Sequence, residues 1–71
     1  MLTQAQTIEA LEALVDETDL ASVVIALGLM CYEKAEHLQT NWQDPITAGV
    51  WDRAGRKIIG VSEHTSIKTL S

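Results

Sequence analysis

The stretch LASVVIALGLMCYEKAEHL, from Leu20 to Leu38, decides the fold of this chain of 71 residues. Its hydrophobic residues recur at alternating spacings of four and three, the period of one face of an α-helix. That stripe consists of Leu20, Val24, Leu27, Cys31, Ala35 and Leu38. The pattern predicts a long central helix over about residues 19–40, with this stripe in the core. Asn41 is suited to the left-handed conformation that ends many helices.

A second apolar stripe lies on a different face of the same helix. It consists of Ala21, Ile25, Leu29 and Tyr32, and charged residues follow it from Glu33 onward. The first half of the helix is therefore apolar almost all round, and such a helix must be surrounded by other elements. Two short helices of one chain can hardly surround it, whereas a second copy can. We therefore predict a helical-bundle homodimer with Ile25, Leu29 and Tyr32 at the interface.

The segment before the central helix predicts an amphipathic helix over about residues 4–16. Thr3 and Gln6 have the spacing of a capping box, in which each side chain bonds an amide of the first turn. One face carries Ile8, Leu11, Leu14 and Val15. Because the link to the central helix is so short, we expect these two helices to lie antiparallel as neighbours.

The segment after the central helix predicts a third helix over about residues 45–59. It opens with Asp44 and Pro45, a capping residue followed by a proline at the first helical position. Its apolar face carries Ile46, Val50, Trp51, Ala54 and Ile58. Gly60 is placed to end it. Gly49 and Gly55 lower its helix propensity, and they also permit a close approach of another helix.

Residues 61–71 are rich in serine and threonine and show neither a helical nor a strand period. We predict an extended or frayed polar tail there, with an arm packed on a partner as the alternative. The predicted fold class is all-α: a small three-helix chain in one helical domain over residues 1–60, with a long central helix.

Size and composition favour association. A chain this small buries only about 60% of the surface that its unfolded form exposes, and it usually needs a disulfide, a metal or a partner subunit. Cys31 is the single cysteine, so no disulfide forms within the chain. No signal-peptide pattern and no apolar run of membrane-spanning length is present. We expect a soluble, cytoplasmic protein that does not bind membranes.

The sequence contains no recognisable catalytic constellation. Cys31 lies on the apolar stripe, where core packing is favoured over a role as a nucleophile, since a reactive thiol needs exposure and a positive neighbour. His37 does not assist it, because six residues place the two side chains about 120° apart around a helix. We expect a protein that is not an enzyme and that binds no cofactor.

Glu33, Glu36 and His37 are the only candidates for a metal site. Facing helices of a dimer could combine such carboxylates and imidazoles, which makes a metal- or small-ligand-binding bundle the alternative function. A solvated helix face with a Glu33–His37 pair is the simpler interpretation. His64 falls in the predicted tail, where we expect an exposed histidine.

Four residues are candidates for contact with a partner: Trp42, Arg53, Arg56 and Lys57. Tryptophan is enriched at binding hot spots, and the three cations could grip a phosphate or an acidic partner. Asp52 is placed one turn before Arg56 and pairs with it more simply. The net charge of −5 argues against nucleic-acid binding, which requires several cations against phosphates.

The charge is unevenly distributed. Residues 1–19 contain no lysine or arginine, and the first helix carries Glu9, Glu12 and Asp16. These carboxylates could meet a basic partner, imitate a phosphate backbone, or attract the basic third segment within or between chains. The leading hypothesis is a non-catalytic, acidic protein-interaction or regulatory module that acts as a homodimer.

Overall fold

The computed structural model describes residues 1–70, and these form four helices without a strand. The helices are α1 (Gln4–Glu17), α2 (Leu20–Asn41), α3 (Pro45–Ser62) and α4 (Thr65–Thr69). The predicted all-α fold class is confirmed, with three long helices packed together. Within the same residues, no helix combines the length and the apolar character needed to cross a membrane.

The tightest packing in the chain joins α2 to α3, and it depends on two glycines. A Cβ atom added to Gly55 would lie 3.0 Å from the carbonyl oxygen of Gly28 and 2.9 Å from the Tyr32 ring. A Cβ atom added to Gly28 would lie 2.6 Å from the end of the Ile59 side chain. The predicted close approach is therefore confirmed at Gly55. Gly49 has no such role, because the nearest group to a Cβ atom added there is the guanidinium of Arg53, at 3.5 Å.

The glycine contact belongs to a longer row of small residues. The buried residues of α2 include Ala21, Gly28 and Ala35, and those of α3 are Ala48, Gly55 and Ser62. Both sets repeat every seven residues, and the antiparallel register that pairs Gly28 with Gly55 also pairs the other members. Buried small residues therefore lie on both sides of the glycine contact along α2 and α3.

This row overturns part of the predicted core. Cys31 and Ala35 are buried as predicted, but Leu20, Val24 and Leu38 are only half-buried. Leu27 remains 43% exposed in the single chain, so its place in the core of a homodimer stays a prediction. Because the small residues occupy the centre of the contact, the larger side chains of the predicted stripe lie at its edge or outside it.

The predicted apolar face of α3 likewise lies beside the helix contact and not at its centre. Trp51, Ala54 and Ile58 are half-buried rather than central. Ile46 is 81% exposed and Val50 53% exposed, so these two residues of the predicted apolar face remain largely in water. The face that α3 turns toward α2 is the row of small residues, which adjoins the predicted apolar face.

The predicted hairpin of the first two helices does not form as a tight pair. Helix α1 packs lightly against α2, touches neither α3 nor α4, and has no buried residue. The Cα radius of gyration is 13.8 Å, against about 11 Å for a compact domain of this length. The chain is consequently an α2–α3 hairpin with a loosely attached first helix.

The helix ends follow local rules. Thr3 and Gln6 form the predicted capping box, with hydrogen bonds of 3.1 and 2.8 Å. Asp44 accepts from the Thr47 backbone N–H as the cap of α3, and this bond holds the pKa of its carboxyl below the usual value. The left-handed residue at the end of α2 is Gln43, with φ of 50°, and not Asn41, which is still helical.

The predicted extended tail was wrong for residues 61–70. Helix α3 continues through Gly60 to Ser62, and α4 follows. His64 is the cap of α4, since its Nδ1 accepts from the Ser66 backbone N–H at 3.1 Å. Ile67 is half-buried, and α4 contacts both α2 and α3. A single helical turn is too short to show a period, which is why the sequence pattern did not reveal it.

The glycine contact can be tested with alanine substitutions in one helix. Gly55→Ala should lower the free energy of unfolding by about 1–3 kcal/mol, because the new methyl group collides with the Gly28 backbone. Gly60→Ala is the matched control, since nothing lies within 4 Å of its added Cβ. It should stabilise the protein by up to about 1 kcal/mol through helix propensity.

Both variants should be compared with the wild type by urea unfolding, followed by circular dichroism at one protein concentration. Equal stabilisation by the two substitutions would show that the α2 and α3 backbones are not in close contact.

Candidate interaction surface

The chain leaves most of its large hydrophobic side chains uncovered. Among the described residues, no large side chain is fully buried, and the buried hydrophobic residues are three alanines and Cys31. The exposed large residues of α1 and α2 are Ile8, Leu11, Leu14, Ile25, Leu27, Leu29 and Met30. They are the main candidates for a functional surface.

Several of these residues line one concave surface, which we call the α1–α2 groove. Its walls are Leu11, Leu14 and Thr18 on one side and Ser22, Val23, Ala26, Leu27 and Met30 on the other. The groove is open to solvent, and its volume is about 560 Å³. The lining contains no charged residue, and the Thr18 hydroxyl is engaged by the Leu14 carbonyl at 2.7 Å. The groove is thus suited to an apolar occupant.

A convex surface lies on an adjoining face of α2, and we call its two exposed residues, Ile25 and Leu29, the α2 ridge. They are one helical turn apart, and their exposed fractions are 41% and 52%. Tyr32, the third predicted interface residue, is half-buried, with its ring against Gly55 of the same chain. Two of the predicted residues are therefore free for a partner, and Tyr32 already contacts α3.

The total surface is larger than that of a typical monomer. The accessible area is 5553 Å², whereas the scaling relation for folded monomers gives about 4,400 Å² for 7.8 kDa. The excess is about 1,200 Å² per chain, above the roughly 800 Å² that each partner buries in a standard protein–protein interface.

The acidic residues of α1 form a separate, hydrophilic face. Glu9, Glu12 and Asp16 are exposed, and none of them forms an ion pair with another described residue. Since α1 does not touch α3, the predicted attraction between the acidic helix and the basic segment is not formed within the chain.

The four partner-binding candidates lie on two helices and are all exposed. Trp42 is 69% exposed at the end of α2, and Arg53 and Lys57 are exposed on α3. Arg56 pairs with Asp52, Nε to Oδ2 at 3.0 Å, which confirms the predicted ion pair. That contact is largely in water, so it contributes little to stability.

The metal candidates do not converge within one chain. Glu33, Glu36 and His37 are exposed, and over residues 1–70 no three potential ligands are grouped closely enough to hold a metal ion. His37 Nδ1 lies 2.8 Å from Asn41 Nδ2, so the imidazole is paired with an amide and the expected Glu33–His37 contact is absent. A site shared between two chains stays a prediction.

Comparisons with known proteins give no family for this chain. No protein-family model, no curated protein and no solved structure matches it significantly.

The sequence pattern did not reveal the groove. The spacing of the apolar residues predicts the stripe on α1, but Val23 and Met30, which line the groove from α2, belong to neither predicted stripe of that helix. The spacing of seven residues between Ala21, Gly28 and Ala35 is the signal in the sequence that indicates a close helix contact.

The burial of Cys31 gives a direct test of its structural role. The side chain is 3% exposed, so its thiol should react with a disulfide reagent such as DTNB at least about tenfold more slowly in the native protein than in urea. The absorbance of released thionitrobenzoate measures both rates. A native rate equal to that in denaturant would contradict core placement and reopen a reactive role.

Proposed function

We propose that the protein is a non-catalytic, acidic protein-interaction or regulatory module that acts as a homodimer. The observation that carries the proposal is the lack of any fully buried large side chain among the described residues of a chain rich in hydrophobic residues. A folded domain stabilised by apolar burial needs cover for such residues. A second copy provides that cover without requiring any other protein.

The area supports a dimer of ordinary size. Burying the excess of about 1,200 Å² per chain would bring the exposed surface to that of a compact monomer. At about 25 cal/mol per Å² of apolar surface, even half of that area would contribute on the order of 15 kcal/mol per chain before entropic costs are subtracted. The gross stabilisation is ample for a dimer in the micromolar range or tighter.

The two exposed residues of the α2 ridge, Ile25 and Leu29, are proposed to lie in this interface. Tyr32 is proposed at its edge, because one side of its ring is already against Gly55. The interface would thus include the apolar half of α2, where charged residues are absent until Glu33.

The acidic face of α1 is the proposed contact with a different protein. Glu9, Glu12 and Asp16 lie on the side of the helix away from its apolar stripe, so a dimer that buries the stripe leaves these carboxylates in water. A homodimer would display two such faces, and each could bind a basic protein segment. Nucleic acid does not suit this surface, because both carry negative charge.

Native mass spectrometry of freshly purified protein, prepared without chelators, tests the dimer. The expected species has twice the 7.8 kDa mass of the chain, with no additional mass. Sedimentation over a range of protein concentrations should give the dissociation constant. A monomer at all concentrations would overturn the proposal, and a stoichiometric mass excess of metal would favour the alternative bundle that uses His37.

The acidic face can be tested by affinity capture with a triple variant, Glu9→Ala, Glu12→Ala and Asp16→Ala. We expect the variant to remain a dimer and to lose proteins that the wild type retains, because the charge that attracts a basic segment is removed. The control replaces Glu33 and Glu36, which are acidic and exposed but lie on α2. Retention of the same proteins by wild type and triple variant would rule out the acidic face as the binding site.

A further inference from the structure

We infer that the two chains interlock, with the α2 ridge of each chain filling the α1–α2 groove of the other. The inference rests on the proposed homodimer and adds the identity of the surfaces that meet. The groove is occupied by a second copy of this chain.

The two surfaces are complementary in shape and chemistry. The groove is concave and lined by residues without charge, and the ridge consists of Ile25 and Leu29, which project one turn apart. Neither surface is covered by another part of the described chain. Apolar side chains placed in the groove would remove water from both, which is the condition for a stabilising contact.

The positions around α2 allow the contact to be made twice. On a helical wheel, Ser22 and Ala26 form the edge of the groove wall nearest the ridge, and Val23, Leu27 and Met30 lie farther from the ridge. Their side chains are small, so two copies of α2 can come close there, and distances between helix axes depend on the side chains at the contact. A two-fold axis beside Ser22 and Ala26 brings each ridge to the opposite groove.

The exposed hydrophobic residues of α3 fit this role less well. Ile46 and Val50 share their side of the helix with Arg53 and Lys57, so an apolar contact there would also desolvate cations. The α1–α2 groove carries no such penalty. Ile46 therefore provides a control position that is highly exposed but outside the inferred interface.

The first experiment places one charge on each inferred surface, in the full chain. Leu14→Lys changes the groove wall on α1, and Ile25→Asp changes the ridge. Leu14 is 54% and Ile25 41% exposed in the single chain, so neither is a buried core residue and both variants should keep their helix content by circular dichroism. We expect each to sediment as a monomer where the wild type is a dimer, because each homodimer would bury two unpaired charges. Ile46→Asp should remain a dimer.

The second experiment mixes the two monomeric variants in equal amounts. In the mixed pair, one groove holds the new lysine against the new aspartate, and the other groove and ridge are both wild type. We expect a heterodimer by native mass spectrometry, with a dissociation constant at least about tenfold lower than that of either variant with itself. Dimer formation on mixing would be specific to a ridge that enters the partner's groove, because only this contact pairs the new lysine with the new aspartate.

The outcomes separate this inference from the proposed homodimer. A wild-type monomer would overturn both. A wild-type dimer that survives Leu14→Lys or Ile25→Asp would overturn the interlocking contact and leave the homodimer intact. Two monomeric variants that fail to form a heterodimer would also overturn it, because groove and ridge would then meet something other than one another.

Discussion

The fold depends on the close approach of two helix backbones at Gly28 and Gly55. A row of residues without bulky side chains lets α2 and α3 come together along a continuous line. The arrangement has a cost, because glycine inside a helix is less favourable than alanine by about 1 kcal/mol. It also removes the space in which leucine or isoleucine side chains would normally be buried. The hairpin is therefore closely packed, yet its interior contains little large apolar surface.

The distribution of the remaining hydrophobic residues follows from that constraint. With the α3 side of α2 occupied by small residues, the large residues of α2 lie on its other faces. Helix α1, which packs only lightly on α2, leaves them uncovered and adds Leu11 and Leu14 to the same exposed surface. The surface is arranged asymmetrically, since the acidic residues of α1 and the basic residues of α3 lie away from it. The exposed apolar surface and the charged residues of α1 and α3 therefore lie on different sides of the molecule.

Local features of this structure could be read from the sequence, and long-range ones largely could not. The three long helices, the Thr3–Gln6 box and the Asp44 cap depend on residues a few positions apart, and these predictions agree with the structure. The core depends on which face of α2 meets α3. The large apolar residues predicted one face, but the small residues form the contact. The short α4 helix depends on a histidine cap and on packing against two other helices. The groove depends on the angle between α1 and α2, which no periodicity records.

The proposed interlocking dimer explains why the first helix is attached so lightly to its own chain. A tightly closed α1–α2 pair would bury Leu14 and Met30 within one chain and leave no recess for a partner. An open pair keeps these residues available, at the expense of a monomer whose apolar surface is partly in contact with water. Association then supplies the missing cover, so the formation of the dimer would stabilise the position of α1 on α2. In that arrangement the two acidic faces remain outside and are held at a fixed spacing, which would let one dimer bind a basic partner at two points.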